Sequence, residues 1–219
     1  MKQIIVFSFL IIALNSRAQV FSMLETKDTK EIVHKILLDE QYLIHTVYEN
    51  DPAKFIKTRG GFYTREGDVF IVDLEFNSNF EKDSLKTLTI EKEADWKNIS
   101  KEPLPLEGKW LMGGRVQDDG SQNRNATDGP RKTMKFLLDG HFQWTAFHTE
   151  TMRFSGCGGG AYSTQDGHYS ETIEYFSRDS SRVSMTLDFQ YDLQDDDWFH
   201  KGFSSKGDPM HEIWVKRKQ

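Results

Sequence analysis

The sequence predicts an all-β protein made of two tandem antiparallel meander barrels, of which the first is abbreviated. Three observations support this fold class. Most of the chain alternates between apolar and polar residues with a period of two, short turn signals separate the alternating runs, and the chain repeats itself. The clearest run covers residues 183–191, where the odd positions are apolar and share one face of a strand.

The first 18 residues predict a secretory signal peptide. Lys2 supplies a positive charge, residues 4–14 are apolar apart from one serine, and Ser16 and Ala18 place small residues at the two positions that a signal peptidase reads. We therefore expect cleavage after Ala18 and a secreted or periplasmic protein. An uncleaved N-terminal anchor is the alternative. No later apolar run reaches the roughly 18 residues that a spanning helix needs, so we expect no transmembrane segment after cleavage.

The internal repeat begins with two similar segments at residues 35–39 and 135–139, at an offset of 100. From there the offset is 99, and a pair of adjacent glycines recurs with several aromatic residues in the same order. We predict that residues 35–88 and 135–187 contain the same strands in the same order. Only residues 27–35 suggest a helix, and that signal is weak.

Two prolines within residues 101–105 predict a linker, because proline cannot donate a ladder hydrogen bond. We therefore place an abbreviated β domain at 19–102 and a complete β-barrel domain at 103–219. Before the repeated segment the first copy has only residues 19–34, whereas the second has residues 106–134. From this difference we expect the first copy to lack a first strand.

The composition argues against several classes of function. A net charge of -6 and a pI near 5.7 do not favour a nucleic-acid partner, which requires a basic surface. Cys157 is the single cysteine, so no internal disulfide is expected. The glycine-rich run 156–160 lacks the residues of a phosphate-binding loop, and the acidic run 195–197 is typical of a solvated hairpin tip.

No metal site and no cofactor are expected. The seven histidines show no metal-binding spacing. Among them, His200 beside Trp198 is the residue to test as a haem ligand.

Gly108 and Trp110 form a Gly-x-Trp motif on the first strand of the second copy, and Lys216 and Arg217 lie near the end of the last strand. This arrangement resembles the lipocalin (calycin) signature, and residues 154–179 followed by residues 195–214 are similar to lipocalin-like domains of bacterial secreted proteins. The resemblance implies that Trp110 plugs one end of the barrel, with Arg217 or Lys216 over its ring through a cation–π contact. It implies a fold and no activity, so no catalytic residues are assigned.

Glu171 is the most informative polar residue of the second copy. By alternation it shares a face with three other residues of its strand, Tyr169, Ile173 and Tyr175. The matching face of the first copy is wholly apolar: Phe70, Val72, Leu74 and Phe76. If this face points inward, the carboxylate needs a partner or a ligand, because burying an unpaired charge is costly. Two alternatives are that the face points outward, or that Arg153 or Arg182 pairs with Glu171.

The function that these residues favour is binding of a small hydrophobic or amphipathic molecule in the second barrel. Six aromatic and acidic residues are candidates for the lining: Trp144, Tyr162, Tyr169, Glu171, Tyr175 and Trp198. A non-enzymatic scaffold with filled barrels is the alternative. The sequence shows no nucleophile–base arrangement, so an enzyme is not expected, and it does not determine the oligomeric state.

Overall fold

The computed structural model describes residues 18–218, so the predicted signal peptide lies outside the described residues except for Ala18. The predicted all-β fold is confirmed. The described chain forms two antiparallel sheets, one of seven strands and one whose strands close into an eight-stranded barrel. No helix within residues 18–218 has the length and apolar character needed to cross a membrane.

The first sheet is open, with the strand order β6-β5-β4-β3-β2-β1-β7. Its strands are β1 (Gln19–Lys27), β2 (Lys30–Leu38), β3 (Tyr42–Glu49), β4 (Lys54–Glu66), β5 (Val69–Asn77), β6 (Thr87–Glu91) and β7 (Lys97–Asn98). One helical turn, α1 (Phe80–Asp83), connects β5 to β6.

The barrel begins with β8 (Gly108–Val116), which pairs with both the second and the last strand of the barrel and so closes it. A short strand, β9 (Gln122–Arg124), lies beside β8. The remaining strands are β10 (Arg131–Leu138), β11 (His141–His148), β12 (Phe154–Gln165), β13 (His168–Phe176), β14 (Thr186–Gln194), β15 (Asp197–Phe203) and β16 (Pro209–Lys216).

The repeated strands follow the same order in both sheets, as predicted, since β2 to β6 pair in sequence and so do β10 to β14. Both copies also bulge at the same place, between Gly60 and Gly61 and between Gly159 and Gly160. A Cβ on Gly61 would lie 1.8 Å from the Asp73 carbonyl oxygen, and Gly160 is equally confined. Glycine is required here because the neighbouring backbone leaves no room for a side chain.

The sequence alignment of the first repeated strand is wrong by one residue. Thr46 and Thr145 hold equivalent places beside equivalent bulges, yet Thr46 pairs with Lys35 whereas Thr145 pairs with Met134. Met134 is therefore the structural counterpart of Lys35, and the identity of Lys35 with Lys135 is misleading. A slip of one residue reverses the face on which a strand side chain lies, so the two lysines point in different directions.

The first copy is abbreviated at its end, and the expectation that it lacks a first strand is wrong. β1 pairs with β2 along its whole length. After β6, however, only the two residues of β7 follow, where the barrel has the full strands β15 and β16. The weak helical signal at residues 27–35 is also wrong, because these residues form the β1–β2 hairpin.

The first sheet covers one outer side of the barrel. Side chains of β10 and β11 that point away from the barrel interior pack against β2, β3 and β5, and together they form one buried core: Val20, Leu37, Tyr42, Ile44, Phe76, Leu111, Met134, Phe136, Leu138 and Phe147. The ring of Phe136 meets Tyr42 edge-on at 6.2 Å, and Phe76 packs on Phe147 at 4.9 Å. The two sheets therefore share a core.

Charged pairs flank this shared core. Glu75 and Glu174 are equivalent residues at the two bulges, and each bonds a basic residue of the opposite sheet. Glu75 accepts two hydrogen bonds from Arg217, at 2.7 and 2.8 Å, and Glu174 accepts one from Lys35 at 2.6 Å. Paired charges of this kind fix the orientation of two packed surfaces more than they stabilise them.

We expect Phe136→Ala to lower the free energy of unfolding of the whole chain by about 3–5 kcal/mol, because it leaves a cavity in the shared core. Chemical denaturation followed by tryptophan fluorescence and by circular dichroism measures this loss, and both signals should change in one transition. Phe203→Ala is the matched control, since Phe203 is 63 % exposed and its removal should change stability little. Two separate transitions in the parent chain would contradict the shared core.

Candidate functional site

The barrel encloses a cavity of about 490 Å³. Its walls are mainly apolar and aromatic, with contributions from Met112, Phe142, Trp144, Phe189, Met210 and Trp214. Residues of the β15–β16 turn, including the exposed Lys206, also border it, so the cavity reaches the surface at that end. Cavities of this size and composition are typical of sites for small molecules.

The opposite end of the barrel is closed by Trp110, which is buried and donates a hydrogen bond from Nε1 to the Leu106 carbonyl at 2.7 Å. Lys216 Nζ lies 4.6 Å from the centre of its ring. Gly108 makes room for this lysine, because a Cβ there would lie 2.8 Å from Lys216 Nζ. Of the two cations expected over Trp110, Lys216 takes this place and Arg217 does not, since Arg217 pairs with Glu75 in the first sheet.

Aromatic rings fill the barrel between this plug and the cavity. Trp198 packs edge-on against Trp110 at 5.7 Å and against Tyr169 at 5.2 Å, and Tyr162 packs on Tyr169 at 5.7 Å. Three of the predicted lining residues, Tyr162, Tyr169 and Trp198, therefore form the floor of the barrel and do not border the cavity.

Glu171 points inward, above this floor and at the border of the cavity. It forms an ion pair with Lys135 at 2.6 Å and accepts a second hydrogen bond from the Tyr169 hydroxyl at 2.6 Å. The Lys135 ammonium also lies 5.1–5.4 Å from the centres of three aromatic rings. The partner of Glu171 is thus Lys135, and neither of the two arginines considered from the sequence.

Both members of this ion pair replace apolar residues of the first copy. The structural counterpart of Glu171 is Val72, and the corrected register makes Ile36 the counterpart of Lys135. Val72 and Ile36 are both buried in the first sheet. The charged pair is therefore specific to the barrel, and its two residues depend on each other, since either alone would be a buried unpaired charge.

His200 is the second buried polar group at the cavity. It is fully buried, and its Nδ1 lies 3.5 Å from Glu212 Oε2. Burial, together with the nearby charge of Lys135, lowers the pKa of His200, so the imidazole is neutral at neutral pH. Neither of its ring nitrogens has a hydrogen-bond partner within residues 18–218, although Nδ1 faces the Glu212 carboxylate.

Glu212 is also fixed in place, because Trp214 Nε1 donates a hydrogen bond to it at 3.1 Å. Sequence reasoning missed both Glu212 and Lys135. Each shares a face with apolar neighbours by alternation, Trp214 in one case and Leu137 in the other. That is the same signal that identified Glu171.

Only some of the residues predicted to line the cavity do so. Trp144 and Glu171 border the cavity. Tyr175 lies on the outer side of the barrel, where it stacks on Tyr48 of the first sheet at 4.9 Å, so its inward placement was wrong. The reason is the bulge at Glu174, whose extra residue reverses the alternation beyond Ile173.

Metal binding and thiol chemistry find no support at this site. No group of three or more histidine, cysteine or acidic side chains within residues 18–218 is arranged to hold a metal ion. Cys157 lies in a separate buried cluster at the interface between the sheets, and burial raises the pKa of its thiol. A protonated, enclosed thiol is unreactive.

Comparison with known protein families gives one match. A model described as "Domain of unknown function (DUF4488)" matches residues 105–219, which contain every strand of the barrel. No curated protein matches the chain.

We expect Glu171→Val to destabilise the protein by about 3–5 kcal/mol, because it leaves Lys135 buried without its partner. The double variant Lys135→Met/Glu171→Val removes both charges and should recover most of that loss. Urea denaturation of the parent, the two single variants and the double variant measures the coupling. If the single and double variants were equally unstable, the ion pair would not be the reason that Glu171 is tolerated.

Proposed function

The chain belongs to the DUF4488 family of domains of unknown function, and we propose that its barrel binds a small, partly apolar molecule in the cavity above Lys135 and Glu171. We further propose that the barrel is lipocalin-like and that the protein acts outside the cytoplasm without catalysing a reaction. The Gly-x-Trp motif with a cation over its ring supports the first of these proposals, and the sequence of residues 1–18 supports the second.

The unpartnered imidazole of His200 is the observation that carries the proposal. Leaving a buried polar atom without a hydrogen bond costs about 1–3 kcal/mol, so proteins retain such atoms mainly where a water, ion or ligand completes them. His200 borders the cavity, and its Nε2 lacks a partner within the described chain. A bound molecule with a polar group at this depth would supply the missing bond.

The two ring nitrogens of His200 have different surroundings. Glu212 lies near Nδ1 and favours the proton there, which leaves Nε2 as an acceptor. The apolar walls above it, including Phe142 and Trp144, suit the rest of a partly apolar molecule. The cavity therefore offers one oriented acceptor inside an apolar space, which is the usual design of a selective small-molecule site.

The alternative function, a scaffold with filled barrels, fits the lower half of the barrel, where aromatic rings occupy the interior. It does not account for the cavity in the upper half.

Filling the cavity tests the proposal. Ala146 borders the cavity, so Ala146→Trp should weaken binding of a neutral apolar probe, N-phenyl-1-naphthylamine, by at least about tenfold, which corresponds to about 1.4 kcal/mol. Probe fluorescence during titration of the purified protein measures the dissociation constant. Ala126→Trp is the matched control, because Ala126 is exposed in a loop away from the cavity and the same side chain there should leave binding unchanged.

A probe that bound the parent and the Ala146→Trp variant equally would locate binding elsewhere on the molecule. A parent chain that bound no probe, and that retained no small molecule in native mass spectrometry when purified from its own host, would favour the scaffold function.

A further inference from the structure

The rim of the cavity is positively charged, although the chain as a whole carries a net charge of -6. Three basic residues border the opening, Arg115, Arg178 and Lys206, against one acidic residue, Asp208. The charge of this edge is opposite to that of the whole protein, so it does not follow from the overall composition. A local positive charge at the opening favours anionic ligands.

Arg178 is held in position at this rim. Its Nε and one terminal nitrogen donate hydrogen bonds to the Ser155 carbonyl at 3.1 and 2.9 Å, and its guanidinium lies 5.4 Å from the centre of the Trp144 ring. Gly156 leaves the space that this arginine occupies, because a Cβ there would lie 2.5 Å from Arg178 Nε. The charge is thus anchored to the backbone and to a wall of the cavity.

The rim charges differ in how far they are neutralised. Arg115 lies 3.9 Å from Glu212, which offsets part of its charge. Arg178 and Lys206 form no ion pair with any carboxylate within residues 18–218. Asp208 is engaged by the hydroxyl of Ser204 at 3.4 Å within its own turn. Two cations at the opening therefore remain available to a ligand.

We propose that the ligand is an amphipathic anion, whose apolar body fills the barrel and whose carboxylate, phosphate or sulfonate group lies at the rim beside Arg178 and Lys206. This inference rests on the proposed function and adds the chemical class of the ligand to it. An anionic group gains charge-assisted hydrogen bonds from arginine and lysine at the opening, where it also stays partly hydrated.

Three linear probes with different head groups test the inference: decanoate, whose tenth carbon is the carboxylate, 1-decanol and decyltrimethylammonium. Isothermal titration calorimetry of the full protein below the micelle concentration of each probe gives the dissociation constants. Decanoate should bind on the order of tenfold more tightly than decanol, because each of two exposed ion pairs can lower the dissociation constant by up to about fivefold. The cationic probe should bind most weakly. The advantage of decanoate should shrink as salt is added.

The double variant Arg178→Gln/Lys206→Gln should abolish the preference for decanoate and leave the dissociation constant of decanol unchanged. Arg65→Gln is the matched control, because it removes one exposed positive charge in the first sheet, far from the cavity, and should change neither constant. Retention of the preference in the double variant would show that the rim does not select the anion.

The outcomes separate this inference from the function on which it rests. Equal binding of decanoate and decanol, or tighter binding of the cation, would overturn the anionic class while leaving small-molecule binding in place. Failure of all three probes and of the neutral naphthylamine to bind would overturn the proposed function itself.

Discussion

The burial of one outer side of the barrel against the first sheet is the constraint on which the rest of the structure depends. A barrel strand normally presents polar side chains to water on its outer face, but the outer faces of β10 and β11 carry almost fully buried aromatic residues, including Phe136 and Phe147, together with the buried polar residue Gln143. The outside must be covered, because these aromatic side chains would otherwise form an exposed apolar patch. The first sheet does so, and the barrel in turn buries the face of the first sheet that carries Leu37, Ile44 and Phe76. Gln143 bonds Thr46 and Thr58 of the first sheet.

The shared bulge explains how two copies of one unit come to face each other. In each copy a close backbone approach requires glycine, and the extra residue opposite it is a glutamate, Glu75 in one sheet and Glu174 in the other. The bulge turns each glutamate toward the neighbouring sheet, where Arg217 and Lys35 meet them. The same bulge, present in both copies, thus supplies polar contacts on both sides of the shared apolar core.

The interior of the barrel differs from the corresponding face of the first sheet. Lys135 and Glu171 occupy places that are isoleucine and valine in the first copy, and His200 and Glu212 lie on β15 and β16, which the first copy lacks. The Lys135–Glu171 pair and the His200–Glu212 pair therefore have no counterpart in the described part of the first sheet. The corresponding face of the first sheet is mainly apolar, with the hydrogen-bonded pair His34 and His45 as a polar part, and the family match covers residues 105–219.

The sequence by itself determined the fold class, the order of the repeated strands and the exceptional character of Glu171, because alternation, turn residues and repetition are local signals. The tertiary structure decided the rest. Alternation shows which residues share a face, but the extra residue at the Glu174 bulge reverses that face, so the inward placement of Tyr175 was wrong. Strand pairing keeps the two copies at an offset of 99 through β2 and β3, so the equivalence of Lys35 with Lys135 at an offset of 100 was also wrong. Three features join residues that are far apart in the chain: the ion pair of Glu171 with Lys135, the lysine over Trp110 and the cavity. Only the closure of the barrel brings these residues together.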